Sequence, residues 1–146
     1  MFESILVGTD GSGAAGVAVA RAVQLAAAHG ARLQIVSAYE PVTERHLRTE
    51  RVHVPSDVQV NMREEVLALL ESSRRDAEAA GVSRIETFAR VGDAADAILD
   101  VAEEQGSDLI VVGNKGMTGA TRFLLGSVPN KVSHHAPCSV LIVRTT

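Results

Sequence analysis

Asp108–Gly113 reads DLIVVG, and Asn114–Val132, which continues it, reads NKGMTGATRFLLGSVPNKV. The first piece is apolar without alternation, as expected of a strand buried on both faces within a sheet. The second carries Gly116, Gly119 and Gly126, the bases Lys115, Arg122 and Lys131, and no acid. Its end reads as a helix from about Ser127 to His135, stopped before Pro137, and CSVLIVR at Cys138–Arg144 then reads as another strand. A strand, a glycine-bearing connection, a helix and a second strand make a β-α-β unit, which places the two strands parallel.

The same alternation extends upstream. Ser4–Val7 (SILV) predicts a buried strand, followed by the turn Gly8-Thr9-Asp10-Gly11. Ser12 suits the N-cap of a helix with Val17, Ala20, Val23 and Ala27 on one stripe, and Gly30 its end. Leu33–Tyr39 predicts the next strand. Glu40–Asp57 is charged, holds two prolines and has no period, which predicts a long surface loop of the kind that often covers or binds. A helix from about Val58 to Ala80 follows, with Met62, Val66, Leu69 or Leu70, and Ala77 inward. Arg84–Val91 alternates partly, as a strand nearer an edge would. Asp93 suits the N-cap of a helix that buries Ile98, Val101 and Ala102 and ends at Gly106. The order β-α-β-α-β-α-β-α-β predicts one α/β domain over residues 1–146: a doubly wound five-stranded parallel sheet with helices on both faces. In such sheets ligands bind beyond the carboxyl ends of the strands, where strand order reverses. Asp10 and Gly113 both lie at such ends.

Composition narrows the function. The net charge of −4 argues against general nucleic-acid binding. All 18 acids fall between Glu3 and Asp108, whereas Lys115, Arg122, Lys131 and Arg144 give the segment from Leu109 onward +4, leaving −8 for the rest. A basic tract on an acidic chain attracts small anions locally. Cys138 is the only cysteine, so there is no internal disulfide and no CxxC pair, which fits a reducing compartment. The opening MFESILVGTDG resembles neither a signal peptide nor a membrane span, and the expectation is a cytoplasmic protein without membrane partners.

The glycine-bearing stretch has the spacing Gly113-x2-Gly116-x9-Gly126-Ser127. It is not a Walker A loop, because Lys115 precedes its glycine, and Gly8, Gly11 and Gly13 do not form GxGxxG. Gly113 and Gly116 still allow close backbone approach to a ligand. Gly126 and Ser127 stand at a helix start, whose outward N–H groups favour anions. The Ser127 hydroxyl can donate to a phosphate oxygen or serve as a plain N-cap. Asp10 can face a ligand or merely accept from the Ser12 N–H in a turn.

ILVGTDGS near the start, Gly92-x5-Ile98, DLIVVGNKG and LLGSVPNKVSHHAPCSVLIVR together resemble the universal stress protein family over the full length. G-x2-G-x9-G-[ST] marks its ATP-binding branch, and the C-terminal part is similar to small actinobacterial members, some associated with cyclic AMP. The resemblance implies strand order 3-2-1-4-5, an adenine-nucleotide alpha-hydrolase-like fold, and an adenine nucleotide (ATP, AMP or cyclic AMP) as ligand. It implies that Gly8, Thr9 and Asp10 line the nucleoside crevice, with Asp10 helping to place Mg²⁺ when ATP is bound. Ala38 would offer backbone groups to the adenine edge, and Val112 would lie against the nucleoside. Gly113, Lys115 and Gly116 would bracket sugar and phosphates, and Gly126, Ser127 and Val128 would hold phosphate. It further implies a homodimer through strand 138–144, whose apolar residues would otherwise leave an exposed sheet edge.

Other candidates carry less. His134 and His135 are adjacent on a helix, point about 100° apart, and have no evident third ligand. Cys138 lacks a matched His–Asp set and reads as a structural thiol. Glu64-Glu65 lies on a solvated face. No residue stands out to activate water for phosphoryl transfer, and the HIGH-like motif of adenylyl transferases is absent. The expected function is therefore a nucleotide-binding stress-response sensor or regulator with little turnover. The alternative is a slow ATPase or a nucleotidyl or phosphoryl transferase on the same fold.

Overall fold

A computed structural model describes residues 1–39, 56–115 and 125–145. Five strands, β1 (Ser4–Gly8), β2 (Arg32–Tyr39), β3 (Ile85–Val91), β4 (Leu109–Gly113) and β5 (Ser139–Val143), alternate with helices α1 (Gly13–His29), α2 (Ser56–Ala79), α3 (Ala94–Gln105) and α4 (Ser127–His135). Every strand pair is parallel, and the order is β3-β2-β1-β4-β5. The chain thus walks outward from β1 to β3, then returns to the other side of β1 for β4 and β5. The reversal lies between β1 and β4, where the carboxyl ends of two central strands open a crevice.

Successive residues of the inner strands feed two apolar layers. Ile5, Val7, Leu33, Ile35 and Val111 meet α1 and α2 through Ala18, Ala22, Ala26, Leu70 and Ala77. Leu6, Val36, Ile110 and Val112 meet α3 and α4 through Ile98, Val101, Ala102 and Val132. Burial on both faces explains why SILV and DLIVVG do not alternate. Each fully buried Leu or Ile contributes about 1.5–3 kcal/mol.

The expected stripe of α1 is corrected. Val17 is 43% exposed, and Ala20 and Ala27 are exposed too, while Ala18, Ala22, Val23 and Ala26 face the sheet. GAAGVAVARAVQLAAAH is apolar nearly all round, so its pattern does not set the phase. The row of small Ala side chains that faces inward lets the helix lie close to the strands. The caps agree with expectation: Ser12 Oγ accepts from Ala15 N–H at 3.2 Å and Asp93 from Asp96 N–H at 3.1 Å. Gly30 and Gly106 close α1 and α3 in the left-handed region (φ 65° and 62°). Ser56 and Asp57, read as loop, belong to α2; the rest of that expected loop, 40–55, lies outside the described residues.

Asp108 joins the feet of β1 and β4. Its carboxylate accepts from Glu3 N–H at 2.9 Å and from Ser4 N–H at 3.0 Å. Burial pushes its pKa up, but these backbone bonds outweigh burial and leave it lowered. A carboxyl depressed in the fold contributes stability present above its unfolded pKa of about 3.9 and lost as pH falls through the folded value. Asp108→Asn can accept through one oxygen only. It is expected to cost about 1–2 kcal/mol at neutral pH, with the gap from wild type narrowing below about pH 4. Urea unfolding at neutral pH and near pH ~3 checks this; a gap of the same size in both would contradict it.

Candidate functional site

The crevice is assembled from five chain segments, with the start of α1 (Ser12, Ala14, Ala15, Ala18) and Ile98 of α3 completing its wall. β1 brings Gly8, β4 brings Val112 and Gly113 with Lys115 just beyond, and α4 brings Val128. The pocket between them has a volume of ≈ 30 Å³, on the scale of a water or two.

The start of α4 departs from expectation in a way that bears on binding. Gly126, not Ser127, is the N-cap (φ −62°, ψ 164°), with no side-chain capping bond, so the reading of Ser127 as a plain N-cap is corrected. Ser127 is the first helical residue, and a side chain there is not placed to cap as an N-cap side chain does. Pro129 has no N–H, and the Asn130 N–H returns to Gly126 O at 3.0 Å. The Ser127 and Val128 N–H groups are therefore left without intrahelical partners, aligned with the positive end of the helix. An anion placed there would supply the missing cap.

Asn114, which sequence reasoning passed over, holds this helix start in position. Its carbonyl oxygen accepts from Gly126 N–H at 3.0 Å, and its own N–H donates to Val143 O at 2.8 Å. Its Oδ1 accepts from Thr145 N–H at 2.8 Å and from Thr145 Oγ1 at 2.9 Å. One residue so ties the ends of β4 and β5 to the foot of α4. An asparagine directly after a strand-ending glycine was the available signal, since this side chain readily bonds nearby backbone. Gly113 has a packing role as well: a Cβ there would come within 3.1 Å of Thr145 Cγ2.

The remaining expected residues divide. Lys115 is half-buried at the crevice and has no ion pair among the described residues. Lys131, counted in the basic tract, is engaged: Asp96 at 2.8 Å, with Asp93 at 3.4 Å, raises its pKa, and the two carboxylates offset its positive charge. Asp10 is exposed beyond β1, and its Oδ1 accepts from Ser12 N–H at 2.9 Å, so the turn role is real and the second oxygen stays open to solvent. Thr9 is buried, its Oγ1 accepts from Gly11 N–H, and it faces the α1–α2 side rather than the crevice. Ala38 packs with the layer under α3 and α4, near the strand end but not on the crevice wall. Gly116 lies outside the described residues.

Among the described residues no three His, Cys, Asp or Glu side chains gather to hold a metal. The His134 and His135 ring centroids are 6.5 Å apart, and His134 Nδ1 lies 2.8 Å from Asn130 O. Cys138 is partly buried; burial, helped by the Asp108 charge, raises its pKa and suppresses the thiolate.

The sequence matches the universal stress protein family over residues 1–144. Universal stress protein Rv1636 of Mycobacterium tuberculosis is 39% identical over 145 residues, spanning 99% of this chain and 98% of the relative. Universal stress protein YxiE of Bacillus subtilis is 38% identical, spanning 99% of this chain and 100% of the relative. A universal stress protein whose crystal structure is described as a complex with cAMP superposes with a TM-score of 0.73 at 36% identity, covering 99% and 98% of the two chains. The protein MJ0577 shares the fold, with a TM-score of 0.82 at 23% identity over 100% of this chain and 98% of that one. The chain belongs to the universal stress protein family.

Proposed function

We propose that this universal stress protein binds an adenine nucleotide, ATP, AMP or cyclic AMP, across the β1–β4 crevice. It would serve as a sensor or regulator in the cytoplasm with little or no turnover. The observation that carries the reading is the uncapped start of α4, with the Ser127 and Val128 N–H groups free of intrahelical partners and the helix start fixed by the Gly126 N–H bond to Asn114 O, close to Lys115. Phosphate would take the place of the missing cap, with Gly126 leaving room and the Ser127 hydroxyl adding a donor. Gly8, Val112 and Gly113 would line the sugar and base, Thr9 and Ala38 would shape the strand ends behind them, and Gly116 would complete the loop. The cAMP complex of a relative at 36% identity supports the ligand class.

Mg²⁺ fits only as a shared ion. Asp10 offers one solvent-facing carboxylate oxygen and no further acid gathers with it among the described residues. Mg²⁺ is ordinarily held by one or two carboxylates together with substrate phosphates. Asp10 would hold the ion against the phosphates and so supply charge neutralisation there.

A binding protein and an enzyme differ in turnover. With saturating ATP and Mg²⁺, phosphate release is expected far below the ~10 s⁻¹ typical of enzymes. Robust release that disappears in Asp10→Ala would instead establish the slow-ATPase alternative.

The edge position of β5 supports a homodimer. Leu141 and Ile142 are 36% and 39% exposed, and SVLIV has neither lysine nor proline to guard its free edge. Pairing with a second copy about a two-fold axis would cover both.

A further inference from the structure

The geometry points to a second ligand site, in the groove between α1 and α2, for a small apolar molecule that carries an ammonium group. Two facing rows build it. On α1 they are Gly16, Ala20 and Gln24, four residues apart; on α2 they are Leu69, Ser73 and Asp76. The space between is an open groove of ≈ 400 Å³, within the roughly 300–1,000 Å³ of small-molecule sites, and seven of its twelve lining residues, Asp76 and Gly16 among them, are exposed. It lies on the α1–α2 side of the sheet, and buried Val23 and Thr9 form part of its lining.

The small α1 residues leave this space unfilled. A Cβ on Gly16 would meet nothing within 4 Å, and Gly16 does not adopt a positive φ. A glycine inside a helix costs about 1 kcal/mol relative to alanine, yet here neither packing nor backbone conformation calls for one.

The charge at the rim selects the ligand. On α2 the acids Glu71 and Glu78 are both paired with Arg74, and Glu71 with Arg75 as well. Asp76 lines the groove and has no ion pair among the described residues. Gln24 and Ser73 add hydrogen-bonding groups at the same rim, and no basic side chain lines it. An apolar body on Val19, Val23 and Leu69 with a cationic head at Asp76 satisfies both features; an anion or a neutral hydrocarbon satisfies only one.

The test uses hexylamine, protonated at neutral pH, and hexanol as its uncharged counterpart, each titrated into the ¹⁵N-labelled full chain. The amine is expected to shift the amides of Ala20, Val23 and Ser73 saturably, with affinity about fivefold above that of the alcohol. Asp76→Asn should bring the amine down to the alcohol. Gly16→Leu should abolish binding of both while favouring the helix, and Ala20→Leu reads the same blockage should that variant not fold. Groove amides that do not move, amine and alcohol of equal affinity, or an amine preference intact in Asp76→Asn would each overturn the proposal.

Discussion

Gly126→Asp is expected to abolish binding of both ATP and cyclic AMP while the protein stays folded. The backbone at Gly126 (φ −62°, ψ 164°) is open to any residue, so the substitution brings no conformational strain. Aspartate is also among the best N-caps, and its carboxylate can accept from the Val128 N–H that now lacks an intrahelical partner. The same carboxylate then occupies the donors that phosphate needs. It stands about 4 Å from a second negative charge, a repulsion of about 4 kcal/mol at an effective dielectric near 20. A loss of at least about a hundredfold in affinity follows, against a cost in stability of about 1–3 kcal/mol, because Gly126 is buried and the new carboxylate gives up hydration as it gains the cap. Gly126→Ala separates charge from bulk: it should weaken binding less, since it adds a methyl group but no charge. A folded Gly126→Asp protein with undiminished affinity would remove α4 from the site.

Leu141→Asp is expected to convert a dimer into monomers. Leu141 is already 36% exposed on the edge strand, so a polar side chain costs the isolated fold little. In a two-fold interface the same change places a carboxylate in the apolar patch of each copy. A well-buried interface residue is worth about 2 kcal/mol or more, which weakens association about thirtyfold or more. Sedimentation velocity across a micromolar range would show the shift. A wild-type chain that is monomeric throughout that range would reject the dimer, and a variant that dimerises as tightly as wild type would reject this edge.

The fold was legible because its signals are local and repeated. Apolar runs ending in glycine turns, Ser12 and Asp93 before helices, and Gly30 and Gly106 after them each mark a boundary that the structure reproduces within about two residues. The phase of α1 was not legible. A helix with alanine or valine on every side carries no directional pattern, and its orientation comes from the close approach that Ala18, Ala22 and Ala26 permit against the sheet. At the site, the sequence pointed to Gly113 by glycine spacing and to Gly8, Val112, Lys115 and Val128 by the family resemblance, and these five line one pocket. The sequence could not show that Lys131 is consumed by Asp93 and Asp96, because that pairing joins α3 to α4 in space. Asn114 offered a local signal, an asparagine after a strand-ending glycine, but its partners Val143 and Thr145 lie across a strand pair, far along the chain.

The most direct measurement is a calorimetric titration of the wild-type chain with ATP and, separately, with cyclic AMP. Saturable binding of at least one of them, at one site per chain and absent in Gly126→Asp, is the predicted result. Heats no greater than dilution for both nucleotides, from protein verified as folded and free of bound nucleotide, would contradict it.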